Sequence, residues 1–226
     1  MHHPLSNTRV QEHCAVRQSL DRPQTDPDHY RHRYNSKQRL ASYWHQVNEV
    51  LNFRPSRVLE VGIGSGFVCG TLRREGVEVV TLDVDARLQP SITGSVRALP
   101  LRTNAVDVCL CCQVLEHLPF SELPNALREL RRVASSGLVI SLPDRERYIR
   151  ASLSTSSHHL FSILRDLPRP VHRRPTCTDP EHYWEIGCGE IGLAQVTEVF
   201  TRVIGKPVHT YRVWENPYHR FFIVHL

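Results

Sequence analysis

The chain has 226 residues, 40% hydrophobic and 23% charged, with a formal net charge of +5, enough for one sizeable core and short for two. No apolar run approaches the roughly 20 residues that cross a bilayer, and the polar, histidine-bearing N-terminus lacks the apolar centre of a signal peptide, so a cytoplasmic protein without a membrane span is expected. Seven cysteines, with Cys109, Cys111 and Cys112 inside one apolar run, read as small hydrophobes in a reducing compartment and exclude a disulfide framework.

Residues 1–28 hold prolines and polar side chains without a sustained period, which predicts a mobile tail ahead of one domain over 29–226. From Ser36 a helical period begins. Leu40, Tyr43, Trp44, Val47, Val50 and Leu51 recur at three- and four-residue steps and are expected to pack into the core, with Asn35 or Ser36 as cap. Strands and helices then alternate. A strand over Arg57–Gly62 leads through a glycine turn to a helix over Phe67–Glu75, and a second strand covers Val77–Asp83. A short third passes Ser91–Ser95, with no helix expected between the second strand and the fourth, Ala105–Cys112.

Ser121–Ala134 reads as an amphipathic helix with Leu123, Leu127, Leu130 and Val133 on one face, and Gly137–Leu142 as the fifth strand, ended by Pro143. The stretch 144–181 departs from the alternation. It carries Arg145, Arg147, Arg150, Arg165, Arg169, Arg173 and Arg174 among prolines and small polar residues, and is expected to be an irregular lid or substrate element. Glu190–Ile204 forms a further helix stopped by Gly205. Pro207–Trp214, the turn Glu215–Tyr218 and His219–Leu226 then make a hairpin, whose strands must run antiparallel. The expected fold is α/β: an open, twisted, Rossmann-like sheet of seven strands, mostly parallel with one antiparallel strand from the C-terminal hairpin, and helices on both faces.

In such sheets ligands sit beyond the carboxyl ends of the strands, where strand order reverses. The first strand ends in Glu60-Val61-Gly62-Ile63-Gly64-Ser65-Gly66. Glycines there let a ligand approach main-chain atoms, and the preceding carboxylate suits a cationic, hydrogen-bond-donating ligand. The dinucleotide fingerprint would want a small third residue at position 67, where Phe67 stands, and this argues against a nicotinamide oxidoreductase. Asp83, about twenty residues after the glycines, is placed to accept from two ribose hydroxyls. Further along come Gly94-Ser95-Val96-Arg97-Ala98-Leu99-Pro100-Leu101 and the fourth-strand exit Cys112-Gln113-Val114-Leu115-Glu116-His117-Leu118.

These motifs together resemble class I S-adenosylmethionine-dependent methyltransferases of the small-molecule group, over roughly residues 35–226. The resemblance implies S-adenosyl-L-methionine as cofactor and S-adenosyl-L-homocysteine as product. It implies that Glu60, Gly62, Gly64 and Gly66 wrap the methionine part, Asp83 binds the ribose, and Val84 packs on the adenine. Ser95 and Val96 would meet the adenine edge, with Ser95 where many relatives carry Asp, and Cys112 and Gln113 would lie beside the sulfonium. The acceptor would be a small or medium-sized metabolite, methylated at oxygen or nitrogen.

For a hydroxyl acceptor a base is useful. The candidates at that edge are His117, Glu116, Tyr30, Tyr34, His182 and Glu185; His117 has the right chemistry, against a local hydrogen-bonded role, and Glu116 is expected rather to support the loop. Tyr34, His182, Trp184 and Glu185 could shape the acceptor pocket. Glu181–Gly187 could equally be a buried aromatic anchor ahead of the last large helix. His172, Cys177, His182 and Cys188 fit no standard zinc spacing, and no metal is expected. The arginine-rich stretch could be a solvated loop or a clamp for an acidic or phosphorylated acceptor. Nucleic acid is not expected, because the fourth-strand exit lacks Asn/Asp-Pro-Pro-aromatic. A cofactor-binding regulator or scaffold without turnover remains the alternative from another class.

Overall fold

The computed structural model describes residues 23, 26–30, 34–167, 170, 172 and 174–226. The tail expected over 1–28 lies almost wholly outside them, as do Arg169 and Arg173. Seven strands form one sheet: β1 (Arg57–Val61), β2 (Glu78–Asp83), β3 (Ile92–Thr93), β4 (Val106–Cys112), β5 (Ala134–Pro143), β8 (His209–Arg212) and β9 (His219–His225). Their order is β3-β2-β1-β4-β5-β9-β8. All neighbours pair in parallel except β9, which runs antiparallel to both β5 and β8. The expected sheet with one reversed strand is therefore present.

Strand alternation divides the core into two layers. Leu59, Cys109, Leu138, Ile140 and Phe222 face α3 (Leu123–Val133) and α4 (Leu193–Ile204), meeting Leu127, Leu130, Val196 and Phe200. Val58, Val108, Leu110, Val139 and Phe221 face the opposite side, where α1 (Lys37–Asn52) and α2 (Phe67–Arg74) contribute Tyr43, Val50, Val68 and Leu72. Both faces are covered, which is why the central strands read as unbroken apolar runs. No helix among the described residues is long and apolar enough to cross a membrane.

Four expectations need correction. Ser36 caps α1, its hydroxyl accepting from the Arg39 amide at 3.2 Å, but Leu40 and Trp44 are exposed. The stripe that faces the sheet runs through Tyr43, Gln46 and Val50, one residue round the helix from the Leu40–Trp44 row. The last large helix starts at Leu193 rather than Glu190, because Gly187 and Ile191 first close a turn through their backbone (Gly187 N to Ile191 O, 2.8 Å). The third strand shrinks to Ile92–Thr93.

The stretch 144–181 is not irregular throughout. Residues β6 (Arg147–Ser154) and β7 (His159–Leu167) form an antiparallel hairpin outside the main sheet. An isolated two-stranded hairpin is marginal in water; this one is fixed at its base. Asp166 on β7 and the buried Asp144 at the end of β5 share the guanidinium groups of Arg212 and Arg220.

Candidate functional site

The topology places a cleft at the switch point. The chain leaves β1 towards β2 and β3 on one side and returns to β4 on the other, so the loops after β1 and β4 diverge and leave an opening between them. An open cavity of about 170 Å³ lies there. Of the residues named from sequence, Glu60, Gly62, Gly64, Asp83, Val84, Ser95, Val96, Cys112, Gln113, His117, Tyr30 and Tyr34 line it. Gly66, Glu116, His182, Trp184 and Glu185 do not.

The glycine turn is held against β2 and β4. The Gly62 amide donates to Leu82 O at 2.8 Å, and at φ 81° a Cβ on Gly62 would lie 2.4 Å from Val114 Cγ2. At Gly64, also at positive φ, an added Cβ would lie 3.8 Å from Tyr30 Cε1. Gly66 is the left-handed residue from which α2 starts, with no side-chain cap. Phe67, the residue that breaks the dinucleotide fingerprint, lines the cleft and stacks on Tyr43 with ring centroids 5.2 Å apart.

Two carboxylates set the electrostatics. Glu60 is buried and one of its oxygens, Oε2, has no hydrogen-bond partner among the described residues. Burial pushes its pKa up to about 8, against the lowering influence of Cys69 and Arg73. Asp83 accepts the Ile63 amide through Oδ2 at 3.0 Å and the Asp85 amide through Oδ1 at 2.9 Å. It thus ties the β1 and β2 loops together while each oxygen keeps a second lone pair. Burial raises its pKa too, opposed by those amides. A buried, under-satisfied acid beside bare backbone fits a ligand that carries a cationic amine.

At the β4 exit, Gln113 adopts φ 55°, a strained conformation for a residue with a side chain, of the kind that concentrates at functional sites. Its amide nitrogen donates to Ser141 O at 2.9 Å and its side chain to Ser141 Oγ at 3.2 Å. Burial pushes the Cys112 thiol up to about 12, so it stays neutral. The His117 Nδ1 lies 2.9 Å from Glu181 O. A carbonyl can only accept, so Nδ1 carries the proton and Nε2 the lone pair. Burial lowers the His117 pKa, and the neighbouring His182 lowers it further.

The Glu181–Gly187 stretch divides. The Trp184 indole is in the core, donating to Leu118 O at 3.0 Å and edge-on to Phe120; it is the aromatic anchor, not a wall of the cleft. Glu185 is buried and accepts from His182 Nδ1 at 2.8 Å, from Tyr218 Oη at 2.9 Å and from Arg145. Burial alone would raise its pKa, but these donors more than offset it and the carboxyl stays below the usual range. The described arginines of the 144–181 stretch do not line the cleft either. Arg145 is held by Glu185, Arg150 donates to Trp214 O, and Arg174 pairs with Glu146.

Sequence reasoning gave no site role to several residues that line the cleft, among them Arg39, Gln46 and His219. Arg39 lies over the Tyr34 ring at 3.9 Å and donates to its hydroxyl at 2.6 Å. Gln46 comes from the buried stripe of α1. His219, at the start of β9, is buried and its Nδ1 has no partner among the described residues; burial, and then Arg39, push its pKa down to about 3. A helix polar face and a hairpin start carry no local signal of a site that other elements of the chain complete.

The model of a family described as a methyltransferase domain matches residues 59–141, the part of the sheet from β1 to β5 that holds the glycine turn, Asp83 and the β4 exit. An uncharacterized methyltransferase of Mycobacterium leprae (strain Br4923) is 34% identical over 96 residues, covering 37% of this chain and 35% of the relative. The chain therefore spans about a third of the length of the curated relatives it matches. The 1,6-didemethyltoxoflavin-N1-methyltransferase of Burkholderia thailandensis, solved with S-adenosylhomocysteine bound, superposes with a TM-score of 0.58 at 13% identity, covering 100% of this chain and 92% of that one. A SAM dependent methyltransferase from Aquifex aeolicus gives 0.56 at 20% identity, covering 89% and 99%. The fold is the Rossmann-like fold of these enzymes.

Proposed function

We propose that this chain is an S-adenosylmethionine-dependent methyltransferase acting on oxygen or nitrogen of a small or medium-sized metabolite. The observation that carries the reading is the buried Glu60, with an unsatisfied oxygen, beside the Gly62–Gly66 turn and across one cleft from Asp83. On this reading Glu60 and the turn hold the amino-acid end of the cofactor, Asp83 the ribose hydroxyls, and Val84, Ser95 and Val96 the adenine. Cys112 and Gln113 adjoin the sulfonium. Ser95 offers the adenine a neutral oxygen in place of a carboxylate, which costs affinity at that edge without abolishing it.

When bound, the cofactor would supply an electrophilic methyl group to the acceptor's oxygen or nitrogen and leave as S-adenosylhomocysteine. The chain's task is to hold the acceptor atom at about 3 Å behind the methyl carbon and to exclude water. Tyr30, Tyr34 and Phe67 wall the cleft, and His117, with its lone pair on Nε2, can take a proton from an acceptor hydroxyl. Arg39 lines the cleft and the described arginines of the 144–181 stretch do not, which supports Arg39 as the group that would meet an acidic or phosphorylated acceptor. Methyl donor labelled in the methyl group, incubated with fractionated host extract, should mark one small-molecule fraction. Label that stays with the donor in every fraction refutes turnover.

A further inference from the structure

Glu116 presents a problem that its loop position does not solve. It is fully buried on the turn after β4, and neither carboxylate oxygen has a hydrogen-bond partner among the described residues. An isolated buried carboxylate is costly and is ordinarily kept only where a cation or donors face it. No arginine or lysine among the described residues is paired with it. What do meet it are two imidazoles: Glu116, His117 and His182 each offer a ligand atom, all within 4.8 Å of one another, and the two rings stand edge to face with centroids 4.9 Å apart.

We infer that Glu116, His117 and His182 form a binding site for one divalent transition-metal ion in the wall of the cleft. Nε2 is the ring nitrogen assigned to the ion in both histidines, because each Nδ1 has a hydrogen-bond acceptor. His117 donates its Nδ1 proton to Glu181 O and His182 its Nδ1 proton to the Glu185 carboxylate. That pattern fixes the tautomer with the lone pair on Nε2, as partners of metal-bound histidines commonly do. Glu185 is not the ligand itself, although Asp179, His182 and Glu185 also approach one another, since its oxygens already serve Arg145, His182 and Tyr218.

Two imidazoles and one carboxylate select zinc, cobalt, iron or manganese over magnesium and calcium, which prefer oxygen alone. Ligand atoms about 2.1 Å from a tetrahedral ion lie roughly 3.4 Å apart, so starting from atoms within 4.8 Å of one another a closure of at most about 1.4 Å between side chains completes the site. Three protein ligands leave a position open. His117 belongs to both the cluster and the cleft lining, so that position adjoins the acceptor side. If the methyltransferase reading holds, an acceptor oxygen bound there would lose its proton more readily, favouring hydroxylated acceptors; with the ion bound, His117 Nε2 serves as its ligand, and the direct base role of His117 belongs to the metal-free chain.

Cobalt(II) titrated into the metal-stripped full chain tests the site without any methyl donor. The expected result is one equivalent bound, weak visible bands and no intense sulfur-to-cobalt band. Glu116→Gln and His182→Ala should each weaken cobalt binding by about tenfold or more and leave S-adenosylhomocysteine affinity within about twofold, the second measurement reporting that each variant is folded. Absence of binding by the unaltered chain, binding that survives both substitutions, or a sulfur-to-cobalt band from Cys177 would overturn the inference. Cobalt binding without S-adenosylhomocysteine binding would instead remove the methyltransferase reading and leave the metal site standing.

Discussion

Glu60 makes the cost of the site measurable. Its folded pKa, about 8, stands above the 4.5 of an exposed glutamate because burial penalises the charge. Below about pH 4.5 the group is protonated in both the folded and unfolded chain. As pH rises towards 8 the unfolded chain ionises first, so the ligand-free protein loses stability across that window. Glu60→Gln should therefore raise the melting temperature of the ligand-free protein at pH 8 more than at pH 5, and weaken S-adenosylhomocysteine by about 10- to 100-fold, the range for a lost charged hydrogen bond. A variant that gains no relative stability at pH 8 would show the group to be ionised already. Asp83→Ala should cost a similar factor in affinity, and it should also lower the melting temperature, since it strands the Ile63 and Asp85 amides. Gly64→Val places a branched side chain at φ 51° beside Tyr30, so calorimetry should detect no S-adenosylhomocysteine binding; retained affinity would mean that the ligand does not use this turn.

Among the elements, α1 and the β6–β7 hairpin teach most. The periodicity of α1 was plain, but two adjacent apolar rows, Leu40–Trp44 and Tyr43–Val50, satisfy it about equally, and only contact with β4, β5 and α2 decides which row is buried. The hairpin escaped the sequence because its residues are exposed on both faces, so no apolar-polar alternation marks its strands. Its base depends on Asp144, whose loss would leave Arg212 and Arg220 buried with their charges half-compensated. Asp144→Ala is expected to cost about 3–5 kcal/mol, read as a lower denaturant midpoint. A midpoint within error of the unaltered protein would show that Asp166 alone satisfies both arginines.

For the whole molecule, a ligand that binds only the folded state stabilises it by about 2.7 kcal/mol at 100 times its Kd, or roughly 5–10 °C for a domain of this size. S-adenosylhomocysteine should produce such a shift and NADH none; the reverse order would revive the oxidoreductase reading. The sequence by itself determined the parallel sheet, its reversed strand and the acids and glycines at the strand ends, because each rests on local chemistry: apolar runs buried on both faces, an antiparallel turn, side-chain-free backbone. Tertiary structure alone decided that Arg39, Gln46 and His219 share the cleft with Glu60, that Trp184 faces the core, and that His182 meets Glu116 and His117. Those meetings join residues as much as 180 positions apart, and no periodicity spans such a distance; the sheet's strand order brings them together.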